Sequence, residues 1–384
     1  MKIVLSGIET NNKGAELMLY AILQEIERTF PGAEVFVPLY SVRQGLDYLI
    51  TNVDLKDKPY AAFKRKCNSL HVTGILRRLH LPYAFFLDSW PVHGVDYFLD
   101  ASGFHFSDQW EIPISSWETQ LSGYKKQNTK IVFLPQAFGP VSKAETKTAL
   151  KILDRYADII MPRDRVSYDY LTEVGLDKKK IKCYKDFTSL VNGLFPEEYD
   201  YLKNGVCIIP NIRMFDKGNL DINKYVHFVN HIIKESEKRN LKVFLLNHEG
   251  IVDEELAYKI SNMAIERITV VTGLNALEVK GLISQSYVCV TSRFHGAVSA
   301  LNSSVPCLAT SWSHKYEELF IDFGLSDFVL DLKQQDQCVS KFNELLNESY
   351  NSDIRNRLSE EALKVKIENR RMWNCVWNEN TDCL

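Results

Sequence analysis

The chain has no long apolar run. No window of its 384 residues approaches the roughly 20 consecutive apolar residues that a membrane-spanning helix needs. An excess of basic charge is also missing. With 46 Lys and Arg against 49 Asp and Glu, the formal net charge is −3, which argues against general nucleic-acid binding. The eight cysteines contain no C-x-x-C pair, so neither a zinc site nor a dithiol redox motif is indicated. Cys207, Cys289 and Cys307 lie in apolar strand-like runs, where a thiol behaves as a small hydrophobe, and a reduced, cytoplasmic setting fits this usage. No G-x-G-x-x-G follows the first strand, which leaves a dinucleotide cofactor unsupported. No repeat of solenoid length is present. The start, Met1-Lys2-Ile3-Val4-Leu5-Ser6-Gly7, reads as a first strand rather than a signal peptide.

What is present is an alternation of strands and helices. Ile3-Val4-Leu5 leads into the polar loop Glu9-Thr10-Asn11-Asn12-Lys13-Gly14. A helix follows with the apolar stripe Ala15, Leu19, Ile22, Ile26 and Phe30, then Pro31-Gly32 and the strand Val35-Phe36-Val37. This is a β-loop-α-β unit of the Rossmann type. Strands are expected at 95–100, 130–134 and 159–161, with a helix over 143–156. Phe195-Pro196-Glu197-Glu198-Tyr199 breaks the pattern and marks a domain boundary. Beyond it, strands are expected at 205–209, 242–246, 268–271, 286–290 and 305–310. Helices are expected at 222–239, 253–264 and 278–283. An apolar stripe at Leu358, Ala362, Val365 and Met372 predicts a long amphipathic helix over 354–373 that packs across both domains. The expected division is therefore 1–196, 205–350 and a tail over 351–384, with a parallel sheet in each domain. One stretch differs in character: Lys64-Arg65-Lys66 and Arg77-Arg78 alternate with Phe63, Leu79, Phe85 and Phe86. It reads either as a helical flap with a solvated basic face or as a surface for an anionic membrane.

The candidate chemistry gathers at strand ends, where ligands of open α/β sheets bind. Arg293 and His295 stand between the strand at 286–290 and the start of a helix, where backbone N–H groups favour an anion. The next strand ends near His314 and Lys315, and Arg163 follows the strand at 159–161. Asp100 ends the strand at 95–100, where it could orient a hydroxyl, act as a base or cap the local turn. Asn12 and Glu16 flank the first helix start, where a helix cap and a favourable first-turn charge are the structural alternatives to a ligand role.

Taken together these motifs resemble the polysaccharide pyruvyltransferase family. The resemblance rests on Asn12-Lys13-Gly14-Ala15-Glu16, Gln136-Ala137-Phe138-Gly139-Pro140, Arg163-Asp164 with Ser167, Ser292-Arg293-Phe294-His295, Lys315 and Phe323-Gly324-Leu325. It implies an α/β fold of two Rossmann-like domains facing a cleft, like the GT-B glycosyltransferase architecture. It implies transfer of the pyruvyl group of phosphoenolpyruvate to a sugar of a capsule or exopolysaccharide as a cyclic ketal. Arg163, Arg293, His295 and Lys315 would then be donor-site residues. Two positions depart from the family pattern: Ala15 stands where an Asp is frequent, and Ala101-Ser102-Gly103 replaces a glycine-rich strand end.

Residue chemistry agrees. Phosphoenolpyruvate carries a phosphate and a carboxylate, which Arg grips bidentately and Lys meets as a point charge. Ketal formation needs a proton at the methylene carbon, and His295 is the expected general acid. No cofactor or metal is expected. The expected partners are phosphoenolpyruvate and a saccharide acceptor, free or lipid-linked, with peripheral contact at the inner membrane leaflet and no nucleic acid. Two alternatives share the fold and not the chemistry. One is a glycosyltransferase using a nucleotide sugar; the other is a non-catalytic sugar-binding protein of a polysaccharide assembly complex.

Overall fold

A computed structural model of the chain describes residues 1–37, 92–216, 218–310 and 315–378, and the backbone of 54–57. The basic, aromatic stretch over 64–86 and His314 lie outside the described residues. The chain forms two compact α/β units. Unit 1 comprises Met1–Thr10, Met18–Phe187 and Asn369–Leu384; unit 2 comprises Asn11–Leu17 and Thr188–Glu368. The expected boundary at 195–199 falls inside unit 2. The tail is not a separate body, because its long helix is shared out between the two units at 368 and 369.

Unit 1 runs β1 (Lys2–Ser6), α1 (Lys13–Thr29, of which the part up to Leu17 belongs to unit 2), β2 (Glu34–Val37), β3 (Asp54–Asp57), β4 (Tyr97–Asp100), α2 (Ile114–Lys125), β5 (Lys130–Gln136), α3 (Ala144–Tyr156), β6 (Ile159–Pro162) and α4 (Arg165–Val174). Its parallel sheet has the order β3-β2-β1-β4-β5-β6. Local chemistry sets the helix ends. Asp164 caps α4 by accepting from the Ser167 N–H, and Gly175 ends it in the left-handed conformation.

Unit 2 runs β7 (Val206–Ile209), a single turn α5 (Arg213–Asp216), α6 (Ile222–Glu237), β8 (Val243–Leu246), α7 (Gly250–Met263), β9 (Thr269–Val271), α8 (Ala276–Ser284), β10 (Val288–Thr291), α9 (Phe294–Asn302), β11 (Cys307–Thr310), α10 (Lys315–Asp322), β12 (Val329–Leu330), α11 (Gln335–Leu345) and α12 (Glu348–Trp377). Its parallel sheet has the order β12-β11-β10-β7-β8-β9. The central strands β7, β10 and β11 are buried at every residue, as a sheet covered on both faces requires. Cys289 lies in register between Cys207 and Cys307, and all three are fully buried.

In each sheet the first strand in chain order lies beside the fourth, so the strand order reverses there: β1 beside β4, and β7 beside β10. Such switch points open a crevice at the carboxyl ends of the strands. Asp100 stands at the first and Arg293 at the second. In unit 1 the last turns of α12 pack Trp373 against Phe187 and Trp377 against Tyr97 and Phe30. There the buried Glu25 accepts from Trp377 Nε1 at 3.2 Å and from Arg370 at 3.1 Å. In unit 2 the earlier part of α12 adds Ile354, Leu358, Ala362 and Val365 to the core. Cys375 of α12 is disulfide-bonded, which the expectation of a uniformly reduced chain did not foresee. Among the described residues no helix is long and apolar enough to cross a membrane.

Candidate functional site

The switch point of unit 2 is built from the loop between β10 and α9. Ser292 is pinned from every side. Its N–H donates to the Ile209 carbonyl at 2.8 Å, its carbonyl accepts from Tyr316 Oη at 2.6 Å and Asn211 Nδ2 at 3.0 Å, and its hydroxyl lies 2.6 Å from Thr310 Oγ1. The next residue is held by its backbone, because the Arg293 N–H donates to Thr291 Oγ1 at 2.9 Å. Helix α9 then sits tightly on the sheet. A Cβ at Gly296 would lie 2.6 Å from Thr291 Oγ1 and 3.0 Å from Ile209 Cδ1, so only glycine fits in the R-F-H-G stretch. Arg293 and His295 thus leave a rigid edge with fixed directions.

The first turn of α1 belongs to this place. Sequence order assigns Asn12 and Glu16 to the first half of the chain, and packing assigns them to unit 2. Asn12 forms an antiparallel bridge with Glu249, and the Lys13 N–H donates to the His248 carbonyl at 3.3 Å. Asn12 Oδ1 caps the helix, accepting from the N–H groups of Gly14 at 2.8 Å and Ala15 at 3.3 Å. Glu16 pairs with Lys13 at 2.6 Å, both buried, and accepts from the Ala276 N–H at 3.3 Å. These bonds give Asn12 and Glu16 structural work, where a substrate contact was expected of them. Their placement serves Gly14, whose Cα lies directly against His295: an added Cβ would sit 2.0 Å from the imidazole Nδ1.

Charge is dense here. Arg293 Nε donates to Asp253 Oδ2 at 2.7 Å, one Nη reaches the same carboxylate and the other contacts Glu249. Asp253 is 1% exposed and Glu249 is 33% exposed at the side chain. Burial pushes the Asp253 carboxyl up to about 7, against the Ile212 N–H that favours its charge. Burial also draws the Arg293 guanidinium down to about 10. Their direct contact opposes both shifts. Lys315 Nζ stands 5.4 Å from the centre of the Phe294 ring, whose edge meets His295 at 5.4 Å between ring centres. Arg293, His295 and Lys315, three of the expected residues, are therefore brought together in one unit.

Asp100 and Arg163 belong to unit 1. Asp100 is fully buried, with its oxygens accepting from the Ser102 N–H at 3.3 Å, Ser102 Oγ at 2.9 Å and Gln136 Nε2 at 3.1 Å. Of the three roles open to Asp100, the turn cap is the one these bonds supply, through the Ser102 N–H, and the same carboxylate holds the hydroxyl of the partly exposed Ser102. Gly7, at φ +71, lets the end of β1 rest on Ser102, where a Cβ would come within 2.2 Å of Oγ. Arg163 is buried, with its guanidinium 4.0 Å from Asp186. Sequence reasoning did not single out His248, Glu249 or Asp253 as site residues. Their place just after β8, two strands from β10 in the sheet, was the available signal.

A family model for polysaccharide pyruvyl transferase matches residues 12–314. No curated protein matches the chain. Among solved structures, a putative UDP-N-acetylglucosamine 2-epimerase from Listeria monocytogenes is similar at a TM-score of 0.60, with 14% identity, covering 100% of this chain and 98% of that one. The UDP-GlcNAc 2-epimerase from Neisseria meningitidis, bound to UDP-GlcNAc, has a TM-score of 0.57 and 10% identity, with 97% and 98% covered. HepE from Anabaena, in complex with UDP, has a TM-score of 0.59 and 11% identity, with 98% and 99% covered. At such identities the likeness is one of fold: two Rossmann-like units of GT-B-like architecture.

Proposed function

Since this chain belongs to the polysaccharide pyruvyl transferase family, we propose that it moves the pyruvyl group of phosphoenolpyruvate onto a sugar of a cell-surface polysaccharide or its lipid-linked precursor, closing a cyclic ketal. His295 and Arg293, fixed together at the switch point of unit 2 with Gly14 against the imidazole, carry this reading. His295 protonates the methylene carbon, which makes C2 electrophilic. A sugar hydroxyl adds there, phosphate leaves, and a second hydroxyl closes the ring. Arg293 and Lys315 answer the charges of the donor. Of the two carboxylates on Arg293, the more exposed Glu249 is the one a donor anion replaces, while Asp253 stays and aims the guanidinium. In unit 1, Asp100 holds the hydroxyl of Ser102. Asn12 and Glu16 hold the first turn of α1 in place.

Mass spectrometry of candidate oligosaccharides, free and lipid-linked, after incubation with phosphoenolpyruvate tests the reaction. A gain of one pyruvyl ketal is expected. Glycosyl transfer from a nucleotide sugar, with no reaction from phosphoenolpyruvate, would replace this reading by the glycosyltransferase one.

Gly14→Ala tests the contact with the general acid. Alanine favours the helix by about 1 kcal/mol over glycine, so the fold should survive. The new methyl would occupy the position of the imidazole. Displacing a catalytic group by about 1 Å costs about 10²-fold in rate, and a loss of that order is expected here. Turnover equal to wild type, in a protein of equal thermal stability, would mean that His295 does not work from this position.

A further inference from the structure

The proposed transfer moves two protons, and His295 accounts for one. Phosphoenolpyruvate as the trianion and a diol give the ketal carboxylate and hydrogen phosphate. One hydroxyl proton ends on the former methylene carbon and the other on the departing phosphate. A second histidine lies in unit 2 beside the first. His248 follows β8, its ring is buried at 4% exposure, and its Nδ1 has no hydrogen-bond partner among the described residues.

We propose that His248 is a second proton carrier of the donor site, binding the phosphate end of the donor and protonating it as it leaves. The inference rests on phosphoenolpyruvate being the donor. The charges that act on His248 are Lys13 of α1, whose N–H donates to the His248 carbonyl, and Arg293 and His295 at the start of α9; Glu16, Glu249 and Asp253 are the carboxylates paired with those cations. The carboxylates are engaged, Glu16 with Lys13 and the other two with Arg293. Burial, followed by Arg293, His295 and Lys13, holds the His248 imidazolium well below its ordinary range, so the ring is neutral in the empty site. A phosphate dianion reverses the sign of that local field and makes protonation favourable. His248 therefore takes up a proton as the donor enters. In the transfer, the bond between C2 and the phosphate oxygen breaks, and its electron pair goes to that oxygen. The proton of His248 goes to the phosphate, giving hydrogen phosphate and a neutral imidazole. The proton released by an acceptor hydroxyl then restores the imidazolium.

Calorimetric titration of the full chain with phosphoenolpyruvate, in buffers of different ionisation enthalpy at one pH, reads the proton uptake directly. Wild type should take up more protons per donor bound than His248→Gln, by a difference approaching one. The affinity of the variant should fall by no more than about tenfold, because the cations remain. The double variant His248→Gln/His295→Gln should take up fewer protons than His295→Gln alone. Inorganic phosphate, as a second probe, should reproduce the difference between wild type and His248→Gln. Equal uptake in wild type and His248→Gln, with both proteins folded by thermal melt, would overturn the proposal; His248→Asn is the substitute if Gln does not fold. A difference seen with phosphate, together with no binding of phosphoenolpyruvate to wild type, would keep His248 as an anion-linked proton carrier and reject the donor instead. No uptake with either anion would reject His248.

Discussion

His295→Gln should leave the donor bound and nearly stop its chemistry, with a single-turnover rate about 10²–10⁴-fold below wild type. Glutamine keeps a polar group of similar reach at the edge of α9 but has no proton to give to carbon. The expectation is a split, in which rate falls far more than donor affinity. Arg293 and Lys315 remain to hold the anion, and the pinning of Ser292 by Tyr316, Asn211 and Thr310 does not involve the imidazole. A structural contribution is measurable on its own, since the imidazole packs against Gly14. The variant should therefore be compared by thermal melt as well as by rapid-quench kinetics and donor titration. A near-normal chemical step would reduce His295 to a packing partner of α1.

Arg293→Ala should be the most destabilising single change at the site, at about 3–5 kcal/mol, the usual cost of leaving a buried charge without its partner. Asp253 supplies most of it, being 1% exposed and bonded to Arg293 through two nitrogens. Glu249 is more exposed and can turn to water, which limits its share to about 1 kcal/mol or less. The sign of the pH dependence follows from Asp253. Its folded carboxyl is already pushed up to about 7 from 3.8, and removing the guanidinium favours the neutral acid further. A carboxyl raised in the folded state binds more protons there than in the unfolded chain, so stability falls as pH rises through that window. The deficit of Arg293→Ala should thus be small near pH 4 and full above pH 7. Urea denaturation at both ends checks this, and the same deficit at each pH would exclude Asp253 as its source. Arg293→Ala combined with Asp253→Asn should regain stability without regaining donor affinity, which separates the two roles of the arginine.

The two parallel sheets were legible because their strands are short apolar runs divided by helices of clear amphipathic period. Cys207-Ile208-Ile209 and Val288-Cys289-Val290 could hardly be anything else. The strand ends then delivered Arg293, His295 and Lys315 to one region, as read. Helix α2 escaped, because Ser115, Ser116, Thr119, Ser122 and Gly123 are weak helix formers around its buried Trp117, Leu121 and Tyr124. The carboxylates on Arg293 were also hidden. A contact between Arg293 and Asp253 spans 40 residues and leaves no periodic trace. The same holds for Gly14 and His295, whose meeting explains a glycine in a first helical turn only once both are seen. Asp100 was correctly put at a strand end, but its closure by Ser102 and Gln136 depends on how β1, β4 and β5 align.

The row of Cys207, Cys289 and Cys307 across three neighbouring strands gives unit 2 an internal clock. Burial holds the Cys207 and Cys307 thiols well above their ordinary range, and no reagent reaches any of the three while the strands stay joined. Each modification in native buffer therefore records one opening of the sheet centre, the most protected level of a local-unfolding hierarchy. Cys183, which is exposed, reacts without waiting and sets the chemical rate against which those openings are counted.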